Sequence, residues 1–143
     1  MMKNIISILS LALVFVLTHN VIAQDLENVN VNKKNYIVLT KKVGQLKPIV
    51  LAAEEMKKAD GDSYGSFHVV FCGKRIEALT DKKRMKKHIE RLNNSGVKLI
   101  ACGFSLDKFG VNPKKLPEGV EIVDNGIAYA LKLKKMGFFG MEL

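Results

Sequence analysis

Two stretches of this sequence, Phe67-His68-Val69-Val70-Phe71 and Val97-Lys98-Leu99-Ile100-Ala101, are short, β-rich and almost continuously apolar. A strand with one wet face alternates polar and apolar residues, whereas a strand covered on both faces does not, and strands of parallel sheets are of the second kind. Between the two stretches Met85, Ile89 and Leu92 recur at helical spacing, and Asn93-Asn94-Ser95-Gly96 supplies a stop. A strand, a helix and a second buried strand make a βαβ unit, which forces a parallel sheet with helices packed on it.

The rest of the chain extends this pattern. Tyr36-Ile37-Val38-Leu39-Thr40 suits a strand, and Pro48 stands where a helix can begin. Ile49, Val50, Ala53 and Met56 mark that helix's apolar side, Glu54, Glu55, Lys57 and Lys58 its polar side, and Asp60-Gly61-Asp62 its end. Gly73 closes the second strand, and Thr80 or Asp81 can cap the helix after it. A short helical turn at residues 105–109, a loop with Pro113 and Pro117, a strand at 120–123, a helix at 127–136 and a last strand near Phe138 complete the reading. The expected fold is α/β, a three-layer α/β/α sandwich with a mainly parallel sheet of about five strands.

At 143 residues the chain has room for one such domain. With 48% hydrophobic and 26% charged residues it is no disordered or low-complexity chain. Its start reads as an address. Lys3 is followed by a 13-residue run, residues 5–17, that is apolar except for Ser7 and Ser10. This suits the hydrophobic region of a secretory signal, about 7–15 residues, better than a membrane span of about 20. Val21-Ile22-Ala23 fits a signal peptidase site, with cleavage before Gln24; an uncleaved anchor is the alternative. No cysteine follows the cut, which argues against a lipid anchor. The expected organisation is a signal peptide over residues 1–23, a polar lead-in over 24–35 and a folded domain over 36–143, with the product periplasmic or secreted and no transmembrane segment once the signal is removed.

The chain carries 23 Lys and Arg against 14 Asp and Glu, a formal net charge of +9. Removing the first 23 residues takes away one lysine and no acid, so the remaining 120 keep +8. Anionic partners therefore enter the argument. No aromatic-studded strand or nucleic-acid motif accompanies the charge, so nucleic acid is not an expected partner. Six fixed cations fall between Lys82 and Arg91. They suit the solvated face of an amphipathic helix, or a salt-sensitive docking surface for an acidic partner or anionic lipid.

Chemistry points to the two cysteines. Cys72 follows one apolar strand and Cys102 the other, each directly before a glycine, Gly73 and Gly103. Ligands of open parallel sheets bind at these carboxyl ends. Cys102 also precedes Gly103-Phe104-Ser105, where a short helix can aim free N–H groups at the sulfur, lower its pKa and raise the nucleophilic thiolate fraction. The sulfur is expected at the sheet rim, open to solvent or to a neighbouring subunit. Two other readings stand beside this one: both cysteines as buried filler, or as a disulfide if their strands are neighbours. Two cysteines and three histidines match no metal motif. His68 and Cys72 share a face of a strand, but about 13 Å apart at roughly 3.3 Å per residue. No metal and no cofactor is implied. His68 is read as facing a helix or a subunit neighbour and His88 as a surface residue.

The segment Gly96-Val97-Lys98-Leu99-Ile100-Ala101-Cys102-Gly103-Phe104-Ser105-Leu106, the later run from Pro117 through Gly119, Val120 and Val123 to Asp124-Asn125-Gly126, and Leu131 through Lys135-Met136-Gly137-Phe138 resemble the DsrE family of sulfur-relay proteins. Val69-Val70-Phe71-Cys72-Gly73, followed by Ala78-Leu79, is similar too. The resemblance covers residues 67–138, and more weakly reaches back to 36. It implies a small α/β/α domain that assembles into homotrimers or hexamers, with Cys102 at the position that carries a persulfide and small sulfur species or a partner thiol as exchange partners. Cys72 is a departure, since many relatives place histidine or another polar residue before that glycine. The export signal is a second departure, because the tRNA-thiolation relay is cytoplasmic. The sequence thus favours an exported sulfur carrier or transferase acting through Cys102 and Cys72, with Gly73, Gly103, Phe104 and Ser105 around them. The competing reading is a non-catalytic oligomeric module of the cell envelope that uses its basic surface.

Overall fold

The computed structural model describes residues 29–143. The expected signal peptide, and the lead-in up to residue 28, lie outside the described residues. Five strands form one sheet: β1 (Lys34–Thr40), β2 (Tyr64–Phe71), β3 (Val97–Cys102), β4 (Val120–Val123) and β5 (Phe139–Glu142). Their order is β4-β3-β2-β1-β5, and every neighbouring pair is parallel. Four helices connect them: α1 (Leu46–Asp60), α2 (Lys82–Ser95), α3 (Gly103–Lys108) and α4 (Gly126–Lys135).

The three layers follow from strand parity. Side chains at i and i+2 share a face, so Tyr36 and Val38 of β1 lie on the side where Ile49, Ala52 and Met56 of α1 pack, and α2 packs beside α1. Ile37 of β1 and His68, Val70 and Cys72 point the other way, toward α4. β2 is buried from Phe67 onward, as its unbroken apolar run requires. α2 buries Met85 and Leu92, leaves Ile89 half-buried, and is capped by Asp81, whose carboxylate accepts the Arg84 N–H at 3.0 Å.

Some boundaries differ from the sequence reading. β1 begins at Lys34, because the Asn35 side chain is buried and tied down: its amide donates to the carbonyls of Asn30 and Lys33, and its oxygen accepts from the Ser66 N–H and hydroxyl. Between Gly73 and the cap of α2, where the sequence reading assigns no element, a 3-10 segment, Lys74–Thr80, buries Ile76 and Leu79. His88 is half-buried rather than a plain surface residue; burial, then Arg91 and Arg84, holds its pKa below the usual histidine value.

The chain steps from β1 to β4 across to one edge, and α4 then carries it back so that β5 pairs on the far side of β1. Leu106 of α3 and Ile122 of β4 line one shallow pocket on the α1–α2 side, whereas α4 covers the opposite face. The ends of β3 and β4 are therefore where successive connections part to opposite faces, the place at which open sheets form a crevice. Among the described residues no helix is long and apolar enough to cross a membrane.

Candidate active site

β2 and β3 run in register through Val69↔Leu99, Val70↔Ile100 and Phe71↔Ala101. Cys72 and Cys102 stand one step further on, so the two thiols lie side by side at the top of adjacent strands and on the α4 face. Both are free cysteines. The first residue of α4 roofs them: a β carbon built on Gly126 would lie 2.7 Å from Cys72 Sγ, 2.7 Å from Val70 Cγ1 and 3.0 Å from Cys102 Cβ. Only glycine lets the helix end approach this closely. Asn125 sets it there by accepting the N–H groups of Ile127 and Ala128 on its side-chain oxygen at 3.0 and 3.1 Å.

Freed by that cap, the Gly126 N–H donates to Cys102 Sγ at 3.2 Å. Ser105 stands on the other side of the sulfur. Its oxygen accepts the Gly73 N–H at 2.9 Å, which leaves the hydroxyl proton available to Cys102. Gly73 has a φ of +89°, a left-handed conformation open to glycine, and this turns its N–H toward Ser105.

The two thiols are pushed apart in acidity. Burial raises Cys102, but the Ser105 hydroxyl, the Gly126 N–H, the Ser105 N–H and the Cys72 thiol together outweigh it and hold the group below the usual thiol value. Of these contacts the Gly126 N–H makes a hydrogen bond of regular geometry, whereas at the cap of α3 the Cys102 side chain accepts no helix N–H, so the Ser105 N–H acts as a nearby dipole. Cys72 is pushed up to about 12, first by burial, then by the charge and hydrogen bonding of Cys102 and by Glu142, with Lys41 opposing. Lys41 and Glu142 pair at 2.6 Å at the rim. When the pair gives up one proton, such a split favours the charge on Cys102 and the remaining proton on Cys72.

The openness expected of Cys102 is not found: it is 3% exposed and Cys72 8%. The roof formed by Gly126 accounts for this, since the N–H that polarises the sulfur also covers it. Ser105 and Gly73 of the sequence-derived set converge on the thiols. Gly103 and Phe104 instead hold the loops together: the Phe104 N–H is spent on the Asp124 carbonyl at 2.7 Å, its ring is 58% exposed with Lys108 Nζ 5.8 Å from its centre, and a β carbon on Gly103 would meet the Val123 carbonyl at 2.9 Å. His68 faces a helix, with Nδ1 2.9 Å from the Tyr129 hydroxyl and Phe138 edge-on to its ring. It lies four residues down the strand from Cys72, out of reach as a base. Among the described residues no cluster of three His, Cys, Asp or Glu could hold a metal ion.

Gly126 and Asn125 are the site residues that candidate selection from sequence misses. Gly126 contributes through its main chain, and an Asn-Gly pair ahead of an apolar run is the one local sign of a capped helix start.

No family model and no curated protein matches the chain. Its fold is similar to that of a protein of unknown function from Methanobacterium thermoautotrophicum, with 18% identity and a TM-score of 0.62 over 78% of this chain and 99% of the other. It is similar also to a conserved protein of unknown function from Bacteroides thetaiotaomicron, with 16% identity and a TM-score of 0.59 over 77% of this chain and 95% of the other. Both likenesses support the α/β sandwich.

Proposed function

We propose that this protein is an exported DsrE-like sulfur carrier or transferase that takes up sulfane sulfur on Cys102. The observation that carries the reading is the polarised sulfur at the end of β3, under the Gly126 N–H and beside Ser105, with its charge favoured over that of the neighbouring thiol. A thiolate polarised in this way attacks sulfur once a small donor passes the Gly126 roof. In the loading step the Cys102 thiolate attacks the sulfane sulfur of a polysulfide or thiosulfate. The new Sγ–S bond forms as the donor's S–S bond breaks, and the shortened polysulfide or sulfite departs with the electron pair. An acceptor thiolate attacking the outer sulfur returns Cys102 to thiolate. Burial of both thiols selects for small inorganic donors over bulky protein disulfides.

Assembly into a homo-oligomer, trimer or hexamer, belongs to the same proposal. It is supported by an apolar groove of about 380 Å³ between α1 and β5, lined among others by Pro48, Ala52, Met56, Phe139 and Met141. The exposed faces of Phe139 and Met141 on a short edge strand form the kind of patch that a subunit covers. Export remains part of the reading on the strength of residues 1–23, and N-terminal sequencing of protein recovered from the native envelope, with Gln24 expected first, checks it.

Intact-mass measurement after exposure to polysulfide or thiosulfate tests the central claim. The wild type should gain sulfur and Cys102→Ser should not; equal loading of the two refutes it. One observation favours the non-catalytic module instead: Lys82, Lys83 and Arg84 stand exposed at the start of α2 with the Asp81 cap as the one acid beside them, as on a surface kept for an anionic partner. Thiols that stay inert to alkylation in the folded protein would decide for that reading.

A further inference from the structure

The carrier reading uses Cys102 and leaves unexplained why a second thiol shares its roof. Cys72 is no spectator packed elsewhere in the core. It directly follows the strand that pairs with β3, the Gly126 end of α4 lies against both cysteines, and each of the two thiols shifts the acidity of the other. Adjacent parallel strands lie about 4.8 Å apart. That spacing falls in the range of Cα separations, about 4.4–6.8 Å, that a disulfide spans without moving the backbone.

From this juxtaposition we infer that Cys72 is a resolving thiol, which discharges a persulfide on Cys102 as sulfide and leaves an internal Cys72–Cys102 disulfide. The inference rests on the carrier reading and adds an outcome to it: the protein reduces sulfane sulfur as well as holding it. Cys72 attacks Sγ of the Cys102 persulfide. The Cys72–Cys102 S–S bond forms, the bond from Cys102 Sγ to the outer sulfur breaks, and that sulfur leaves with the electron pair and the Cys72 proton as hydrogen sulfide. The sulfane sulfur is reduced by two electrons, and the two cysteine sulfurs are oxidised by one each. A small dithiol, entering at the less buried Cys72 sulfur, then reduces the disulfide, becomes a disulfide itself, and restores both thiols.

The surroundings favour that order. While Cys102 is a bare thiolate, its charge and hydrogen bonding hold the proton on Cys72, so Cys72 neither competes for donors nor dissipates the pair. Loading moves the negative charge to the outer sulfur and removes those two influences. Burial and Glu142 still oppose ionisation of Cys72, while Lys41, whose stem lies 3.6 Å from where a β carbon on Gly73 would be, favours it, so loading lowers the barrier to attack without baring a free thiolate. The roof keeps bulk thiols from reaching the inner sulfur, which leaves the neighbouring cysteine as the group placed to attack it.

The test loads the protein with polysulfide, removes excess donor by rapid gel filtration, and follows sulfide release and intact mass with no reductant present. The expected result for the wild type is up to one sulfide per persulfide and a final mass two hydrogens below that of the dithiol. Cys72→Ser and Cys72→Ala, both small changes at a buried thiol, should load sulfur yet hold the persulfide at least ten times longer, with circular dichroism confirming their fold. A wild type that loads sulfur but keeps it as long as the Cys72 variants, with no internal disulfide, overturns the resolving step while leaving the carrier reading standing. A wild type that takes up no sulfur overturns the carrier reading and this step with it.

Discussion

The Gly73 N–H and the Ser105 hydroxyl oxygen are joined at 2.9 Å, and this bond decides where the hydroxyl proton of Ser105 can go. With its oxygen engaged as acceptor, Ser105 is oriented as a donor toward Cys102. Ser105→Ala removes that donor and strands the Gly73 N–H. A hydrogen bond to a charged group contributes about 1.5–3 kcal/mol, and one pKa unit corresponds to about 1.4 kcal/mol. The Cys102 thiol should therefore become less acidic, with alkylation near neutral pH slowed roughly ten-fold. Alkylation rates across a pH series measure this, and an unshifted profile would remove Ser105 from the site.

The paired thiols should titrate in two separated steps. Cys102 lies below the usual thiol value and Cys72 reaches about 12, so ultraviolet thiolate absorbance should rise once below pH 9.0 and again only near pH 12. Cys72→Ser should abolish the upper step alone. A single step worth two thiolates would show that the sulfurs do not share a charge.

Gly126→Ala forces a methyl group to within 2.7 Å of Cys72 Sγ and Val70 Cγ1. Overpacking of this kind costs about 1–3 kcal/mol, which thermal unfolding will register as a lower Tm. Gly44, where an added β carbon meets nothing within 4 Å, is the matched control, and Gly44→Ala should leave Tm unchanged or slightly raised. Equal behaviour of the two variants would mean that α4 does not press on the thiols.

Asp60 gives the fold a pH signature of its own. It accepts the Lys34 ammonium at 2.8 Å and the Tyr36 hydroxyl, and these contacts hold it below the usual aspartate range; Tyr36 is pushed up to about 12 by burial and then by Asp60. A depressed carboxylate contributes stability that is present above its unfolded value, 3.8, and is lost as the pH falls through the lower folded value. The raised tyrosine contributes stability that is present below 10.0 and is lost as the pH rises toward 12. Asp60→Asn should weaken the fold across the plateau and flatten the losses at both ends in denaturant midpoints measured against pH. A variant curve parallel to that of the wild type at both ends counts against the assignment.

Phe139→Glu places a charge in the apolar groove beside α1 without touching the thiols. Sedimentation should show the wild type as an oligomer and the variant as a smaller species, with sulfur loading per chain retained. A wild type that already sediments as one chain removes the groove as a subunit contact.

Much of the architecture is legible because its determinants are local. The almost continuously apolar, β-rich run at Phe67 to Phe71 marks a strand covered on both sides, and the Met85 and Leu92 stripe marks a helix on it. Boundaries were less legible where distant groups decide them, as at Asn35, whose oxygen is held by Ser66 on the next strand. The site was half legible. Each cysteine announces itself by ending a buried strand ahead of a glycine, but their contact depends on β2 and β3 being neighbours, which no local pattern encodes. Gly126 was invisible for a related reason: it acts through a main-chain proton, 24 residues from the sulfur that receives it. That same contact explains why the rim thiol expected to be open is covered.

α4 begins on the two thiols and, ten residues later, hands the chain to β5 at the opposite edge of the sheet. One short rod thus spans the distance between the chemistry and the edge a neighbour would grip. Between Lys135 and Phe139 the only break in that rod is the turn at Gly137, so a shift of the edge strand and a shift of the Gly126 roof are carried by one element.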